Sequence, residues 1–539
     1  MVYSLAMLRR KIIAPIDTDS AALIAQLQAQ IALMRTAFNT SQNEAALLQQ
    51  QNTTLRAERD LYKERFLAQQ RQLFAAKSEQ RGTEQCDLFF NEAEALAGLP
   101  LTVIKPIVNV PAHVRIKRGR KPLDPHLPRE VIRHELPESD RVCAHDGTPL
   151  KEIGVEVSEQ LDIIPAKVRV IRHERVKYAC PCCSQGVRTA PAPLKLIPKA
   201  LFTESAMAWI ITAKYQDALP LYRQAGILSR FGGDIARNTL ANAVIRVGYA
   251  VQPIINLMRD QLMEADLQYG DETTLQVLKE DGRTAQSKSY LWVQRSGIGP
   301  PIALFTYVPS RSAKTALDLY DGARGALMTD GYDAYTSVAQ TYHLIHLGCW
   351  AHVRRYWIKA ETVVPKDKRG PGHPASDMLT LIGELYAIEA RAKANNLSPE
   401  QRGELRRNQS ALVIQRIESL LMRHLHRVLP ESLLGKALHY LHGQWPKLVR
   451  FLNDGRFPID NNVAENTLRP FVLGRKNWLF SDTVAGAKAS ANLYSLIESA
   501  KANAVEPYAY LCALFQALPH ATTVDEVEAL LPWNIRLPS

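Results

Sequence analysis

The sequence predicts a multidomain α+β protein, and three observations lead there. At 539 residues the chain is long for one domain. Residues 20–80 contain neither Gly nor Pro and carry a helical apolar period. Beyond residue 262 the period changes to successive strand-like runs with one helix among them. The expected order is a coiled coil (20–80), a basic linker (83–130), a zinc-ribbon-like module (131–195) and a helical region (200–258). A mixed α/β domain (262–360 and 456–505) follows, split by a helical insertion (361–455), and a helical tail (506–539) ends the chain.

The bulk numbers narrow the partner before any motif is read. An apolar share of 46% is ample for a sizeable core, and a net charge of +12 calls for an acidic partner, nucleic acid first. Seven cysteines are too few for a disulfide framework in so long a chain, so a reducing compartment is expected. The N-terminus "MVYSLAMLRRK" lacks the order of a secretory signal, and no run reaches the ~20 apolar residues that span a bilayer. A cytoplasmic, nucleoid-associated protein is expected.

In the first element, alternate steps of four and three from Leu27 meet Ile31, Met34, Phe38, Leu48, Leu55, Tyr62 and Phe66. Asn52 falls on an a-type position, where a polar residue sets register, so the segment reads as a coiled coil that joins copies of the chain; a single long helix packed on its own domain is the alternative. In the linker, "RIKRGRKPLD" groups Arg115, Lys117, Arg118, Arg120 and Lys121 around Gly119. Such Arg-Gly-Arg segments suit a narrow A·T-rich minor groove; the alternative is a solvated basic linker that binds phosphates without sequence preference.

The next module holds Cys180 and Cys183 at the C-x-x-C spacing that lets two thiolates grip one tetrahedral Zn²⁺. Its other half offers Cys143 and then His145 and Asp146 in place of a second cysteine. Zinc accepts both imidazole and carboxylate, so Cys143, His145, Cys180 and Cys183 are the candidate set, and a hairpin that has lost its metal is the alternative. Residues 203–250 read as helices around a Gly-Gly turn, the second starting near Arg237, Asn238 and Thr239, which would suit helix-turn-helix reading of DNA.

The chemistry gathers downstream. "DLQYGDETTLQVL", "SYLWVQRSG" and "PIALFTYVP" read as three strands, "SAKTALDLYDG" as a helix, and "GALMTDGYDAY" and "YHLIHLGCW" as two more strands. Asp271 lies on the first and Asp330 closes the fourth. Two such acids at adjacent strand ends repel unless a hard divalent cation such as Mg²⁺ or Mn²⁺ sits between them. Two ions about 3.5–4 Å apart can serve an in-line phosphodiester displacement. A third carboxylate from a helix would complete the set, and Glu465 in "DNNVAENTLRP" is the natural supplier. Glu272, Asp333 and Asp460 compete with Asp271, Asp330 and Glu465 for these roles. Arg354, Arg355, Arg469, Arg475 and Lys476 are candidate phosphate contacts. Cys349 and His352 form a C-x-x-H pair, Trp350 between them is a core residue or a base-stacking platform, and the basic face of 361–455 meets DNA or a second subunit.

The order of "GDETTLQV", "MTDGYDAY", "GCWAHVRR" and "DNNVAENTLRPFVLGRKNWLF" resembles the DDE transposases of the insertion sequence 66 family. The zipper, the "GRKPL" linker, the cysteine module and the tail "YSLIESAKANAVEPYAYL" share in the resemblance from about residue 20 onward. The incomplete first cysteine pair and the "ENTLRP" string depart from the family's usual pattern. The resemblance implies an RNase H-like catalytic domain, metal-dependent cleavage and transfer of double-stranded DNA at terminal repeats, and accessory proteins. It assigns Asp271, Asp330 and Glu465 as the metal-binding triad. A synapsis protein that binds sites without cutting, or a junction resolvase, would be the alternatives.

Overall fold

The computed structural model describes residues 18–74, 131, 168–179 and 187–537. The basic segment of Arg115, Lys117, Arg118, Arg120 and Lys121 and the zinc candidates Cys143, His145, Cys180 and Cys183 lie outside the described residues. None of the helices described is long and apolar enough to cross a membrane.

Helix α1 (Thr18–Phe74) is one unbroken helix of 57 residues, which its lack of Gly and Pro permits. Leu27, Ile31, Met34, Phe38, Leu48, Leu55, Tyr62 and Phe66 are all exposed along it. A two-stranded antiparallel ribbon of β1 (Lys177–Ala179) and β2 (Val187–Thr189) pairs Tyr178 with Arg188.

Four helices follow: α2 (Glu204–Tyr215), α3 (Leu221–Arg230), α4 (Arg237–Ala250) and α5 (Gln252–Met263). Thr203 caps α2 by accepting the Ala206 N–H at 3.2 Å. Arg237 and Asn238 are exposed at the start of α4, whereas Leu240, Val244, Val247 and Gly248 are buried.

The central sheet runs β5-β4-β3-β6-β7. β3 (Leu267–Lys279), β4 (Lys288–Ser296) and β5 (Ala303–Val308) form an antiparallel meander. β6 (Ala326–Thr329) and β7 (Ile345–Gly348) extend it in parallel on the other side of β3. Helices α6 (Ala313–Leu319) and α7 (Asp333–Thr341) make the two crossovers. The expected strand over 325–335 stops at Thr329, and its second half is α7, whose Ala334, Tyr335, Val338 and Ala339 recur at helical spacing in the core. The short β8 (Ser481–Thr483) pairs in parallel with the far end of β3.

Two cores sandwich the sheet. On one face Trp292, Tyr320, Leu327, Tyr335 and Val338 pack under α6 and α7. On the other face lies a larger core that runs on into the insertion and includes α14 (Val484–Ala502). Ala489 of α14 lies so close to Gly248 of α4 that a Cβ there would meet it at 2.4 Å, so the glycine is what lets these helices touch. Ser495 and Ser499 of α14 accept the Phe305 and Ala303 amides of edge strand β5 at 2.7 and 2.9 Å. The exposed edge of the sheet is thereby closed to other strands.

Helix α8 (Trp350–Thr362) leaves the sheet and enters the insertion. The insertion comprises α9 (Pro374–Ala394), α10 (Pro399–Leu405), a π-turn at Arg406–Ser410, α11 (Ala411–His424) and α12 (Leu433–Leu448). Val413, Ile414, Ile417 and Leu421 of α11 are buried, whereas Arg416, Arg423 and Arg427 are exposed, giving the expected division of faces. Arg406 departs from it. Its guanidinium is fully buried, paired with Glu389 at 2.7 Å, and donates to the carbonyls of Phe451, Asp454 and Phe457. The chain returns in α13 (Asn462–Trp478) and ends in α15 (Pro507–Ala517) and α16 (Val524–Glu528). The tip of α1 reaches the insertion, where Glu64 accepts the Leu433 amide of α12 at 3.0 Å.

Candidate active site

β3 and β6 run in parallel with Tyr269 opposite Met328. Carrying that register two residues on places Asp330 beside Asp271 on the neighbouring chain path, where strands lie about 4.8 Å apart. Asp271 Oδ1 accepts its own neighbour's amide, that of Glu272, at 2.8 Å. Asp330 Oδ1 accepts the Tyr332 amide at 2.9 Å, which folds the turn into α7 around the carboxylate. Thr329, just before it, bonds His346 of β7 at 2.8 Å.

Glu465 comes from the first turn of α13, 5% exposed. The helix is pinned by the residue before it. Asn461 donates its side-chain amide to Gly270 O at 2.9 Å and its backbone amide to Cys349 Sγ at 3.2 Å. Trp350 donates its backbone amide to Ile459 O at 3.1 Å and its indole N–H to Leu448 O at 3.0 Å. The start of α13 is thus held against both β3 and the start of α8. The indole is buried core, which leaves no face for a stacked base.

Two of the three competing acids are engaged elsewhere, and the third is exposed. Alternation along β3 turns Glu272 toward α6 and α7, where it accepts from Arg311 Nε at 2.7 Å and Tyr335 OH at 2.5 Å. Asp460 accepts from Tyr386 OH and the Asn462 side-chain amide, both at 2.8 Å. Asp333 is exposed at the start of α7.

The electrostatics are those of crowded acids. Burial first, then the charges of Glu272, Asp330 and Glu465, push the Asp271 carboxyl well above the usual carboxylate range. Glu465 has two different edges. Its Oε2 receives Arg355, while Oε1 is buried without a hydrogen-bond partner, 3.5 Å from His352 Nδ1. Burial pushes the His352 ring below the usual imidazole value, and it pushes the Cys349 thiol up. Cys349, His352 and Glu465 are the one group of three such side chains, among the described residues, whose ligand atoms all lie within 4.8 Å of one another. Glu465 therefore leans toward α8, and its charge reaches Asp271.

The carboxylates of Asp271, Asp330 and Glu465 suit a hard divalent ion, and Glu465 Oε1 is buried and unpartnered, whereas the tightest group, Cys349, His352 and Glu465, joins one carboxylate to a thiol and an imidazole. The basic residues differ in role. Arg355 is taken up by Glu465, and Arg475 donates to the Thr274 carbonyl of β3. Arg354 and Arg469 are half-buried and engaged, and Lys476 is exposed. Asn461, Arg311 and Tyr335 were missed in the sequence. The doubled Asn461-Asn462 before a helix was the available signal for the first; nothing local marks the other two.

Four family descriptions match the chain in order. They are "Transposase C of IS166 homeodomain" over residues 61–132 and "zinc-finger binding domain of transposase IS66" over 140–184. "Transposase IS66 family" covers 199–489 and "IS66 C-terminal element" covers 495–533. The chain is also similar to proteins of Sinorhizobium fredii described as uncharacterized. It is 32% identical to y4qI over 471 residues, 84% of each chain. It is 33% identical to y4jD over 431 residues, 76% of this chain and 81% of the relative.

Proposed function

Because the chain belongs to the transposase IS66 family, we propose that it is a DDE-type DNA transposase that binds element ends and catalyses metal-dependent strand cleavage and strand transfer. What supports this reading is that Asp271 and Asp330 fall on neighbouring chain paths of the sheet and that Asp271 feels the charges of both Asp330 and Glu465, the latter from the first turn of a helix. The sheet order β5-β4-β3-β6-β7, with the first three strands antiparallel and the last two parallel to β3, supports an RNase H-like reading of this domain.

Asp271, Asp330 and Glu465 would hold two Mg²⁺ or Mn²⁺ ions, which when bound supply charge stabilisation to the attacking and leaving oxygens of a phosphodiester. The chain's own residues prepare that site. Asn461 ties the Glu465 helix to the Asp271 strand, and Arg311 and Tyr335 keep Glu272 out of the cluster. Arg354, Arg355, Arg469, Arg475 and Lys476 supply the positive charge that holds a DNA backbone beside it. Upstream, Arg115, Lys117, Arg118, Arg120 and Lys121 would enter a minor groove, and Cys143, His145, Cys180 and Cys183 would hold Zn²⁺ in the end-binding module. The exposed apolar stripe of α1 would pair two copies as a coiled coil, so that two element ends meet in one complex. The protein would act in the bacterial cytoplasm on nucleoid DNA, with accessory transposition proteins as further partners.

The test is cleavage of terminal-repeat DNA with Mg²⁺ or Mn²⁺. Asp271→Asn and Glu465→Gln should each abolish cleavage while end binding persists. Cleavage by either variant at the wild-type rate would overturn the assignment.

A further inference from the structure

Two arginines meet the acidic cluster, and they are held very differently. Arg311 pairs with Glu272, lies over the Tyr332 ring at 3.9 Å, and shares its carboxylate with Tyr335. It is locked from several sides. Arg355 pairs with Glu465 and, among the described residues, makes one further hydrogen bond, to His352 Nε2 at 3.2 Å. Its side chain is 36% exposed, close to the 40% of Arg311, so the number of anchors and not exposure separates the two, and the Glu465 side chain is 4% exposed. A buried carboxylate without a cation is costly, so in the metal-free chain Arg355 serves as counter-ion to Glu465. An ion bound by the Glu465 oxygens would take over that role. The guanidinium, already reaching solvent, would then be released, and its planar fork matches a phosphate as well as a carboxylate.

We infer that Arg355 exchanges the Glu465 carboxylate for a backbone phosphate of DNA, so that metal loading and DNA binding reinforce each other at this site. The inference rests on the reading of Glu465 as a metal ligand. It makes Arg355 a coupling residue and gives it two successive partners. By linkage, whatever factor the metal adds to DNA affinity, DNA adds to metal affinity.

The experiment uses the full chain, a short mixed-sequence DNA duplex read by fluorescence anisotropy, and Mn²⁺ read by the paramagnetic resonance of the free ion. Ionic strength is matched with NaCl. For the wild type, saturating Mn²⁺ should tighten duplex binding about fivefold or more, within the range usual for coupled sites. In Arg355→Gln that factor should fall to near one, while Mn²⁺ binding without DNA becomes several-fold tighter because its competitor is gone. Arg355→Lys keeps the charge and should restore part of the coupling, which separates charge exchange from a folding defect. Equal coupling in the wild type and Arg355→Gln would overturn the exchange alone. Mn²⁺ binding that ignores Glu465→Gln would overturn the parent reading and the exchange with it.

Discussion

Asn461 and Gly270 are joined by a side-chain amide to carbonyl bond of 2.9 Å, which fixes the helix bearing Glu465 to the strand bearing Asp271. Asn461 is fully buried, and Gly270 has no room for a side chain, since a Cβ would meet the Tyr320 hydroxyl at 2.2 Å. Asn461→Ala should leave the Gly270 carbonyl unsatisfied and cost about 1–3 kcal/mol of stability. Urea unfolding measures the cost. Mn²⁺ affinity should fall in the same variant, because the acid on α13 is no longer held in register with the acid on β3.

The raised pKa of Asp271 sets a pH dependence whose sign depends on metal. Without a divalent ion the folded state holds the Asp271 proton more tightly than the unfolded chain does. That contribution to stability is fully present below the ordinary carboxylate pKa and is lost as pH rises through the elevated folded value. The slope for one proton cannot exceed about 1.4 kcal/mol per pH unit. With a divalent ion the charged form is favoured, and the loss should vanish. Melting curves of the wild type and Asp271→Asn across pH, in chelator and in Mg²⁺, check both arms. A difference between the two proteins that stays constant across pH in chelator would contradict the assignment.

Arg406 anchors the insertion from inside. It satisfies Glu389 and three backbone carbonyls at the π-turn between α10 and α11. Arg406→Ala would bury Glu389 without its cation and orphan those carbonyls, at a cost of about 3–5 kcal/mol. Thermal unfolding should show the loss. Proteolysis within 361–455 should rise before cleavage elsewhere in the domain, since one face of the sheet keeps a core separate from the insertion.

Local pattern made much of this structure legible. The three meander strands and α6 lie where the strand-like runs and the helical string "SAKTALDLYDG" put them. The acid-bearing segments also fall on a strand, a strand end and a helix, as expected. Segment 333–341 misled because "DAYTSVAQT" mixes β-branched and aromatic residues with helical spacing, and only its burial on the sheet decides between the two. β8 has three residues and no periodic signal; its pairing with β3 is set by α13 and α14 on either side. Arg406 and Arg355 read as surface cations, and their partners lie 17 and 110 residues away in sequence. Charge alone gave no sign of which arginines would turn inward.

The insertion between the second and third acids has a consequence for a chain still being made. Ribosomes add about 5–20 residues per second, so Asp271 leaves the peptidyl-transferase centre roughly 10–40 s before Glu465 does. Throughout that interval the nascent protein lacks its last carboxylate and the α14 serines that seal the sheet edge. A half-translated copy therefore lacks the full acidic set and, on the proposed reading, would have no cleavage activity.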